Sequence, residues 1–251
     1  NSLANYYNDG AKGSASMAFG VGTTAEGDHS LSMGVRSSAS GLNSLAIGYD
    51  NTASGTQSVA VGNGTNASGN FSVAMGLGAE AGTKNDDVES TENGAAVAVG
   101  FGASAANTGS AAYGYYANAG AINASAFGTS ASTTVEGGVA LGAHSVANRD
   151  KGSTGYLAPD MTNPANAADA TTWVSTSGAV SLGGADPTVD ESENKKKITR
   201  QITNLAAGSA DSDAVNVAQL KAFASQGMNF QGNDTNTSVH LDQGGTLQIQ
   251  G

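Results

Sequence analysis

The chain has 251 residues, of which 36 are glycine and none is cysteine, and its formal net charge is −11. This acidic balance argues against a nucleic-acid partner, which needs a basic surface. No apolar run approaches the roughly 18 residues of a membrane-spanning helix. Apolar residues make up 39% of the chain and aromatic residues only 6%, which predicts regular structure built on small side chains rather than disorder. The lack of cysteine is typical of a chain exported through an oxidising compartment.

A short phrase, Ser-x-Ala-x-Gly, recurs at an even spacing through most of the segment 1–183. It reads NSLAIG at 43–48, QSVAVG at 57–62 and FSVAMG at 71–76, which defines a 14-residue period. A second mark, almost always alanine, follows the glycine of each phrase at a fixed offset, as Ala53 follows Gly48. Such a repeat accommodates two strands of about five residues and two tight turns. The period therefore predicts a β-solenoid in which each repeat forms one coil.

Within each phrase, apolar and small residues alternate with the period of two that a β-strand requires. We expect the large apolar residues to fill the inside of the coil. The small residues would then form a flat outer face against which other copies of the chain pack closely. The residues predicted to build this core and contact are Ser44, Leu45, Ala46, Ile47, Ser58, Val59, Ala60, Val61, Ser72 and Ala74.

The period is interrupted twice, and each time it resumes in register. The spacing lengthens between Gly76 and Gly100 and between Gly142 and Gly183, which indicates insertions at about 83–92 and about 145–177. Binding chemistry tends to lie on loops that a rigid scaffold holds, so both insertions are candidates for ligand contact. For Trp173, packing against the flank of the head is the favoured role and ligand contact is the alternative. The candidate contact residues are Lys84, Asp86, Tyr156 and Trp173.

Metal and cofactor chemistry has little support in the sequence. Clustered carboxylates in the first insertion are of the type that binds Ca²⁺, whereas runs of charge are more commonly solvated loops. The histidines are far apart and cysteine is absent, so we expect no zinc site and no cofactor. No nucleophile, base and acid occur together in a pattern typical of an enzyme. The carboxylates in question are Asp86, Asp87, Glu89 and Glu92.

After Gly183 the period ends and a basic cluster follows an acidic run. We expect the two groups to pair with each other, with an anionic ligand as the alternative partner. The cluster consists of Lys195, Lys196, Lys197 and Arg200.

A helical pattern and a second β-rich pattern complete the chain. Residues 200–221 read RQITNLAAGSADSDAVNVAQLK, in which Asp213 predicts the N-cap of a helix at 214–227. Val217 and Leu220 are at coiled-coil spacing on this helix, which is too short to be stable alone. From 228 to 251, short alternating segments predict the start of a further β-rich module.

The 14-residue repeats and the phrase RQITNLAAGSADSDAVNVAQLK resemble the head and neck of YadA-like trimeric autotransporter adhesins. The resemblance implies an all-β fold, a left-handed parallel β-roll in each chain, with three chains around a common axis. It places the head at 1–183, and at 184–213 a neck that joins the head to a coiled-coil stalk. The neck residues that match are Lys195, Lys196, Lys197, Arg200, Asn204, Asp211 and Asp213.

The resemblance also implies a function. It implies a homotrimer on the surface of a Gram-negative bacterium, held in the outer membrane by an anchor that is not in this chain. Its role would be multivalent attachment, without catalysis. The target would be a host matrix protein, a glycan, a host-cell receptor or other bacteria. One alternative is a trimeric fibre tip of a phage or pilus, which shares the β-rod but lacks the neck phrase. Another is a β-solenoid enzyme acting on polysaccharides, which would need acids or bases clustered in a groove.

Overall fold

The computed structural model describes residues 10–82, 94–156, 158–159, 170–185, 197–225, 228–231 and 236–239. The chain divides into two units, Asn1–Arg200 and Gln201–Gly251. Most of the first predicted insertion, with Lys84 and all four candidate calcium ligands, lies outside the described residues.

Two parallel sheets of ten strands each make up most of the first unit. The long-strand sheet comprises β2 (Met17–Val21), β4 (Leu31–Val35), β6 (Leu45–Tyr49), β8 (Val59–Asn63), β10 (Val73–Leu77), β12 (Val97–Val99), β14 (Ala111–Tyr113), β16 (Ser125–Phe127), β18 (Val139–Leu141) and β20 (Val180–Ser181). The short-strand sheet comprises β1 (Gly10–Ala11), β3 (Thr24–Ala25), β5 (Ser38–Ala39), β7 (Thr52–Ala53), β9 (Asn66–Ala67), β11 (Glu80–Ala81), β13 (Ser104–Ala105), β15 (Asn118–Ala119), β17 (Ser132–Thr133) and β19 (Val146–Ala147).

The register of both sheets follows the sequence repeat. Leu45 pairs with Val59, and Thr52 pairs with Asn66, in each case the equivalent residue of the next repeat. Across the insertions, Val73 pairs with Val97 and Val139 pairs with Val180. The predicted solenoid, and the return to register after each interruption, are therefore confirmed.

Each coil turns because particular residues adopt a left-handed backbone. In one coil the corners are Asp50 (φ 56°) and Gln57 (φ 56°), and glycine, asparagine or aspartate occupies many equivalent positions. These three residue types tolerate positive φ better than others. The glycine that ends each phrase has a steric role as well. A Cβ on Gly48 would lie 2.0 Å from the carbonyl oxygen of Gly62 in the next coil, so only glycine lets the coils stack.

The inside of the coil is lined by small side chains. Every buried apolar residue in the described part of the chain is an alanine, and buried serines and threonines lie beside them. The largest fully buried side chain is Asn51. Its Nδ2 donates to the carbonyl oxygens of Ile47 (2.6 Å) and Gly62 (2.9 Å), and its Oδ1 accepts from the Thr65 amide (2.9 Å). A polar side chain of this size is accommodated because its hydrogen bonds are satisfied.

The two faces of the long strands are the reverse of what the alternation suggested, so that prediction was wrong. Ala46 and Ala60 are completely buried inside a single coil, as are Ala74, Ser58 and Ser72, and Ser44 is nearly so. Leu45, Ile47, Val59 and Val61 point outward and are only partly covered. A coil this short has room inside for methyl and hydroxyl groups but not for leucine or isoleucine. Alternation with a period of two marks two faces without saying which is inside.

The chain after the last coil returns to close the end of the roll. Strand β21 (Gly184–Ala185) pairs antiparallel with β22 (Lys197–Ile198). Beyond it, Arg200 Nη2 donates to the Ala143 carbonyl oxygen (2.7 Å), and Nη1 donates to Ser145 Oγ (3.0 Å) and to the Leu182 carbonyl oxygen. Arg200 thus binds two carbonyl oxygens and a hydroxyl at the end of the stack, while the acidic run predicted to pair with it lies outside the described residues. Lys195 and Lys196 lie outside the described residues, and Lys197 is exposed.

Two helices and one more pair of strands complete the described structure. Helix α1 (Ala170–Trp173) belongs to the second insertion, and helix α2 (Val217–Ser225) belongs to the second unit. Strands β23 (Met228–Gln231) and β24 (Asn236–Val239) pair antiparallel, in the region predicted to be β-rich.

Helix α2 begins at Val217, later than predicted, because its N-cap is Asn216 rather than Asp213. Asn216 Oδ1 accepts from the Gln219 amide (3.0 Å), and Gln219 Oε1 accepts from the Asn216 amide (3.2 Å). This reciprocal pair is a capping box. Asp213 instead closes the preceding turn, accepting from the amides of Ser209 (2.8 Å) and Ala210 (3.0 Å).

Enlarging a side chain inside the coil tests the assignment of the two faces. We expect Ala60→Leu to lower the free energy of unfolding by about 1–3 kcal/mol or more, because the interior has no space for it. The adjacent outward substitution Val61→Leu is the matched control and should leave the unfolding midpoint nearly unchanged, because it recreates the Val139 and Leu141 pair of a later coil. Thermal unfolding followed by circular dichroism measures both. A stable Ala60→Leu protein beside an unstable Val61→Leu protein would contradict the assignment.

Removing the Arg200 contacts tests the closure of the roll. Arg200→Ala is expected to destabilise the first unit by about 1.5 kcal/mol, the scale of hydrogen bonds from a charged donor. Arg200→Lys should recover only part of this, because an ammonium lacks the planar fork that reaches several acceptors. Arg149→Ala, in the second insertion, controls for the loss of one positive charge. Equal denaturant midpoints for Arg200→Ala and Arg149→Ala would show that the contacts add no stability.

Candidate interaction surfaces

The long-strand sheet presents a continuous apolar face on the outside of the coil, here named the apolar face. Its first column of outward side chains comprises Met17, Leu31, Leu45, Val59, Val73, Val97, Ala111, Ser125, Val139 and Val180. Its second column comprises Phe19, Met33, Ile47, Val61, Met75, Val99, Tyr113, Phe127 and Leu141. Many of these side chains are exposed in the single chain. A contiguous apolar surface of this extent is typical of an interface with another molecule.

The side chains of the two columns compensate each other in size in one part of the apolar face. In two neighbouring coils the first column narrows to Ala111 and Ser125, and there the second column widens to Tyr113 and Phe127. The rings of Tyr113 and Phe127 stack with centroids 5.3 Å apart and planes at 11°. In these two coils the total side-chain volume is therefore close to that of the preceding coil, which has Val97 and Val99 in the two columns. Such matching is expected where the face packs against a surface at a fixed separation.

Three further aromatic residues lie at one edge of the apolar face and form what we name the aromatic corner: Phe101, Tyr115 and Tyr116. Phe101 and Tyr115 stack at 5.1 Å, with planes at 17°. Tyr116 meets both rings edge-on, at 5.2 Å from Phe101 and 4.6 Å from Tyr115. All three side chains remain exposed. The sequence analysis missed this group. The signal for it was visible, because these aromatic residues occupy positions where other repeats have valine, glycine or serine.

The outer face of the short-strand sheet is small and polar. A shallow groove of about 550 Å³ crosses it, lined by Ser40, Thr52, Ser54, Asn66, Ser68, Glu80 and Gly82. Its hydroxyl and amide groups can form hydrogen bonds with a ligand. Glu80 is the one titratable side chain in this lining, so the groove lacks the paired acid and base of a glycosidase.

The second insertion forms an arm whose stem is well hydrogen-bonded. The Gly152 amide donates to the Ser175 carbonyl (2.7 Å), and the Gly155 amide donates to the Trp173 carbonyl (2.7 Å). The structure thus brings Tyr156 and Trp173 into one arm. Tyr156 is 92% exposed, and Trp173 is 36% exposed beside Gly155. The neighbour recorded for Trp173 is Gly155 of the arm, and packing on the flank of the head stays a prediction.

An ion pair connects this arm to the coils. Lys151 Nζ lies 3.1 Å from Glu136 Oε2, and this hydrogen bond raises the pKa of Lys151. Because both groups are exposed, the pair orients the arm more than it stabilises the fold.

The second unit carries apolar side chains without a covering element in the described part of the chain. Val217 and Leu220 are 68% and 62% exposed on α2, and Phe223 is exposed as well. A nine-residue helix is not stable alone in water, so this surface indicates a helical partner. Asn204 has a left-handed backbone (φ 58°) and Asp211 is exposed in the segment before α2. Hydrogen bonds from the Ser209 and Ala210 amides lower the pKa of Asp213 and keep it charged.

Within the described ranges, no group of three histidine, cysteine, aspartate or glutamate side chains is arranged to hold a metal ion. Nor does the same part of the chain contain a helix that is long and apolar enough to span a membrane. The proposed calcium ligands of the first insertion are outside these ranges.

The fold defines a class: a parallel β-solenoid with an outward apolar face, followed by a short helix with exposed apolar side chains. Comparison with known families agrees with this class. The YadA head domain repeat matches residues 11–37, 25–51, 39–65, 53–79 and 119–145, and the coiled stalk of trimeric autotransporter adhesins matches 201–240. Together these matches cover more than half of the chain. The chain belongs to the trimeric autotransporter adhesin family and contains a YadA-like head and neck.

Several curated proteins resemble parts of the chain. It is 40% identical over 117 residues to the autotransporter adhesin BadA of Bartonella henselae, covering 44% of this chain and 3% of BadA. It is 46% identical over 82 residues to the trimeric autotransporter adhesin AtaA of an Acinetobacter species, covering 33% of this chain and 2% of AtaA. Over 101 residues it is 38% identical to the adhesin EhaG of Escherichia coli O157:H7, covering 40% of this chain and 5% of EhaG. The chain therefore corresponds to a small part of each relative.

One solved structure is also similar, the collagen-binding domain of the Yersinia adhesin YadA. The two share 29% sequence identity, with 73% of this chain and 83% of that chain covered, at a TM-score of 0.45. A superposition this loose does not bear on the ligand of the present chain. The fold of the present chain is established by the sheet register described above.

Proposed function

We propose that this chain is the head and neck of a homotrimeric surface adhesin, and that its role is attachment rather than catalysis. The observation that carries the proposal is the apolar face, which runs along the solenoid and is uncovered in a single chain. Membership of a family of trimeric adhesins supports three copies as the covering partner. The same membership favours an adhesin over a phage or pilus fibre tip.

The apolar face is suited to a threefold axis parallel to the rod. Cyclic symmetry places the same coil of each chain at the same level. A wide second column in one coil then meets the narrow first column of the equivalent coil in another chain. The compensation between Ala111 and Tyr113, and between Ser125 and Phe127, fits this arrangement. In the second unit, Val217, Leu220 and Phe223 would pack against the same residues of the other chains in a coiled coil.

The trimer would act through multivalency. Three copies of each outward surface lie on one rod, so a second contact forms at high effective concentration once the first has formed. Surfaces left for a ligand are the polar outer face, the corners and the arm that carries Tyr156 and Trp173. A host matrix protein, a glycan or a cell-surface receptor is the proposed class of partner. The proposed location is the outer surface of a Gram-negative bacterium, as for an outer-membrane-anchored adhesin.

Exchanging the sizes of the two columns in one coil tests the trimer. Ala111→Val alone overpacks the shared axis and Tyr113→Val alone leaves a cavity, so each single substitution should weaken association at least tenfold. The double variant Ala111→Val/Tyr113→Val should recover most of the association, since it recreates the Val97 and Val99 pair of the preceding coil. Sedimentation equilibrium measures the oligomer, and circular dichroism confirms that the coils remain folded. A wild-type protein that sediments as a monomer would rule out the proposed assembly.

A binding assay tests attachment and the role of the arm. The trimer is expected to bind at least one immobilised ligand from a panel of collagen, fibronectin and host glycans. Tyr156→Ala/Trp173→Ala should reduce that binding by more than tenfold, because the arm loses its exposed aromatic groups. Tyr49→Ala, at a corner of the coil far from the arm in sequence, is the control. Wild-type binding by the arm variant would exclude the arm as the contact.

A further inference from the structure

The aromatic corner differs from the other described corners of its own column because it groups three exposed aromatic rings. The corner residue that follows each long strand forms a column that includes Arg36, Asp50, Gly64, Gly78, Gly102, Tyr116, Ser130 and His144. Arg36 and Asp50 form an ion pair with side chains more than half exposed, so this column faces water. Tyr116 is the one tyrosine, phenylalanine or tryptophan in the described column. Its backbone is left-handed (φ 51°), as it is at the other described residues of this column.

The neighbouring residues hold the Tyr116 ring in place. A Cβ on Gly102 would lie 2.6 Å from Tyr116 Cε1, which shows that the ring lies directly over this glycine. Phe101 and Tyr115 contact the ring from the side, at centroid distances of 5.2 Å and 4.6 Å. The side chain nevertheless remains 52% exposed. An aromatic ring that is fixed on one side and open on the other loses little conformational entropy when a ligand stacks on it.

The surroundings of the aromatic corner are rich in hydrogen-bonding groups, and the nearest charge on the short-strand sheet is the carboxylate of Glu80, which pairs with Ser104. In three consecutive coils the corner reads Phe101-Gly102-Ala103-Ser104, Tyr115-Tyr116-Ala117-Asn118 and Thr129-Ser130-Ala131-Ser132. Ser104, Asn118 and Ser132 are neighbours in the short-strand sheet, immediately around the corner from the rings. The site thus offers an aromatic surface beside a row of hydroxyl and amide groups, with no charge in those twelve positions.

These features select the chemistry of the partner. A pyranose ring has an apolar face of C–H groups, which stacks on aromatic rings, and peripheral hydroxyls, which form hydrogen bonds with amides and hydroxyls. The chain has a net charge of −11, which disfavours acidic saccharides at long range. A second copy of the chain is a poorer candidate at Tyr116, because the ring lies in the water-facing column that holds Arg36 and Asp50, outside the apolar face. We therefore propose that the aromatic corner is a binding site for a neutral saccharide, and this rests on the proposed adhesin function.

Titration with neutral oligosaccharides tests the proposal on the assembled protein. The probes are tetrasaccharides of β1,4-linked glucose, of β1,4-linked N-acetylglucosamine and of β1,4-linked galactose, with saturation-transfer NMR to detect contact and calorimetry to measure Kd. At least one probe should show saturation transfer from the rings of Tyr115 and Tyr116. Tyr116→Ser and Tyr115→Thr place in this coil the residues of the following coil, so the fold should tolerate them, and each should weaken binding about tenfold or more.

Tyr49→Thr is the matched control, because Tyr49 occupies the same column as Tyr115 but is covered by Arg36, whose Cζ lies 4.7 Å above the ring. This variant should bind the probe with unchanged Kd. Failure of all three neutral probes to bind overturns the proposal, as does preferential binding of an acidic oligosaccharide or a proline-rich peptide at this corner. A Tyr116→Ser protein that loses its trimeric state in sedimentation, with saccharide binding unchanged, would assign the corner to assembly instead. A wild-type monomer that binds the neutral probe through Tyr116 would refute the trimer and leave the saccharide site standing.

Discussion

The narrow interior of the coil is the constraint on which the rest of this structure depends. Two strands and two corners in each short repeat leave space only for methyl, hydroxyl and small amide groups between the sheets. Alanine methyl groups bury little area, and hydrophobic stabilisation scales with the apolar area removed from water at about 25 cal/mol per Å². Backbone hydrogen bonds between successive coils, rather than a large core, therefore hold one chain together. The larger apolar side chains are placed outside the coil, where only another molecule can cover them.

The same architecture explains why the stack of coils tolerates insertions and why its last coil needs a segment that covers its backbone acceptors. Each coil contacts mainly the coil before and after it, so a long insertion can leave the stack between two strands without disturbing their register. The pairing of Val73 with Val97, and of Val139 with Val180, shows this directly. At the end of the stack, the last backbone acceptors have no further coil to bind. Strand β22 and Arg200 take that place and connect the head to the segment that leads to the helix.

In the proposed trimer, assembly and recognition use different surfaces of the same coil. The apolar face suits contact between chains, because it is continuous along the described coils. The water-facing corners, the polar outer face and the arm are free to vary without breaking the backbone ladder. Tyr116 shows how far such variation extends, since an aromatic residue replaces the glycine or polar residue found at most of the equivalent corners. A repeated rod can thus present a local binding surface while its assembly surface stays uniform.

The sequence by itself determined the coil, its register and the position of both insertions, because a 14-residue period leaves one regular way to pair the strands. It also determined the family, through the repeats and the neck phrase. Only the tertiary structure decided which face is inside, because alternation is the same in both orientations and the choice depends on the space between the two sheets. It also decided that Asn216 caps the helix and that Arg200 binds carbonyl groups, since both depend on which backbone groups lack partners. The aromatic corner likewise joins Phe101 and Tyr115, residues of successive repeats that become neighbours only when the coils stack.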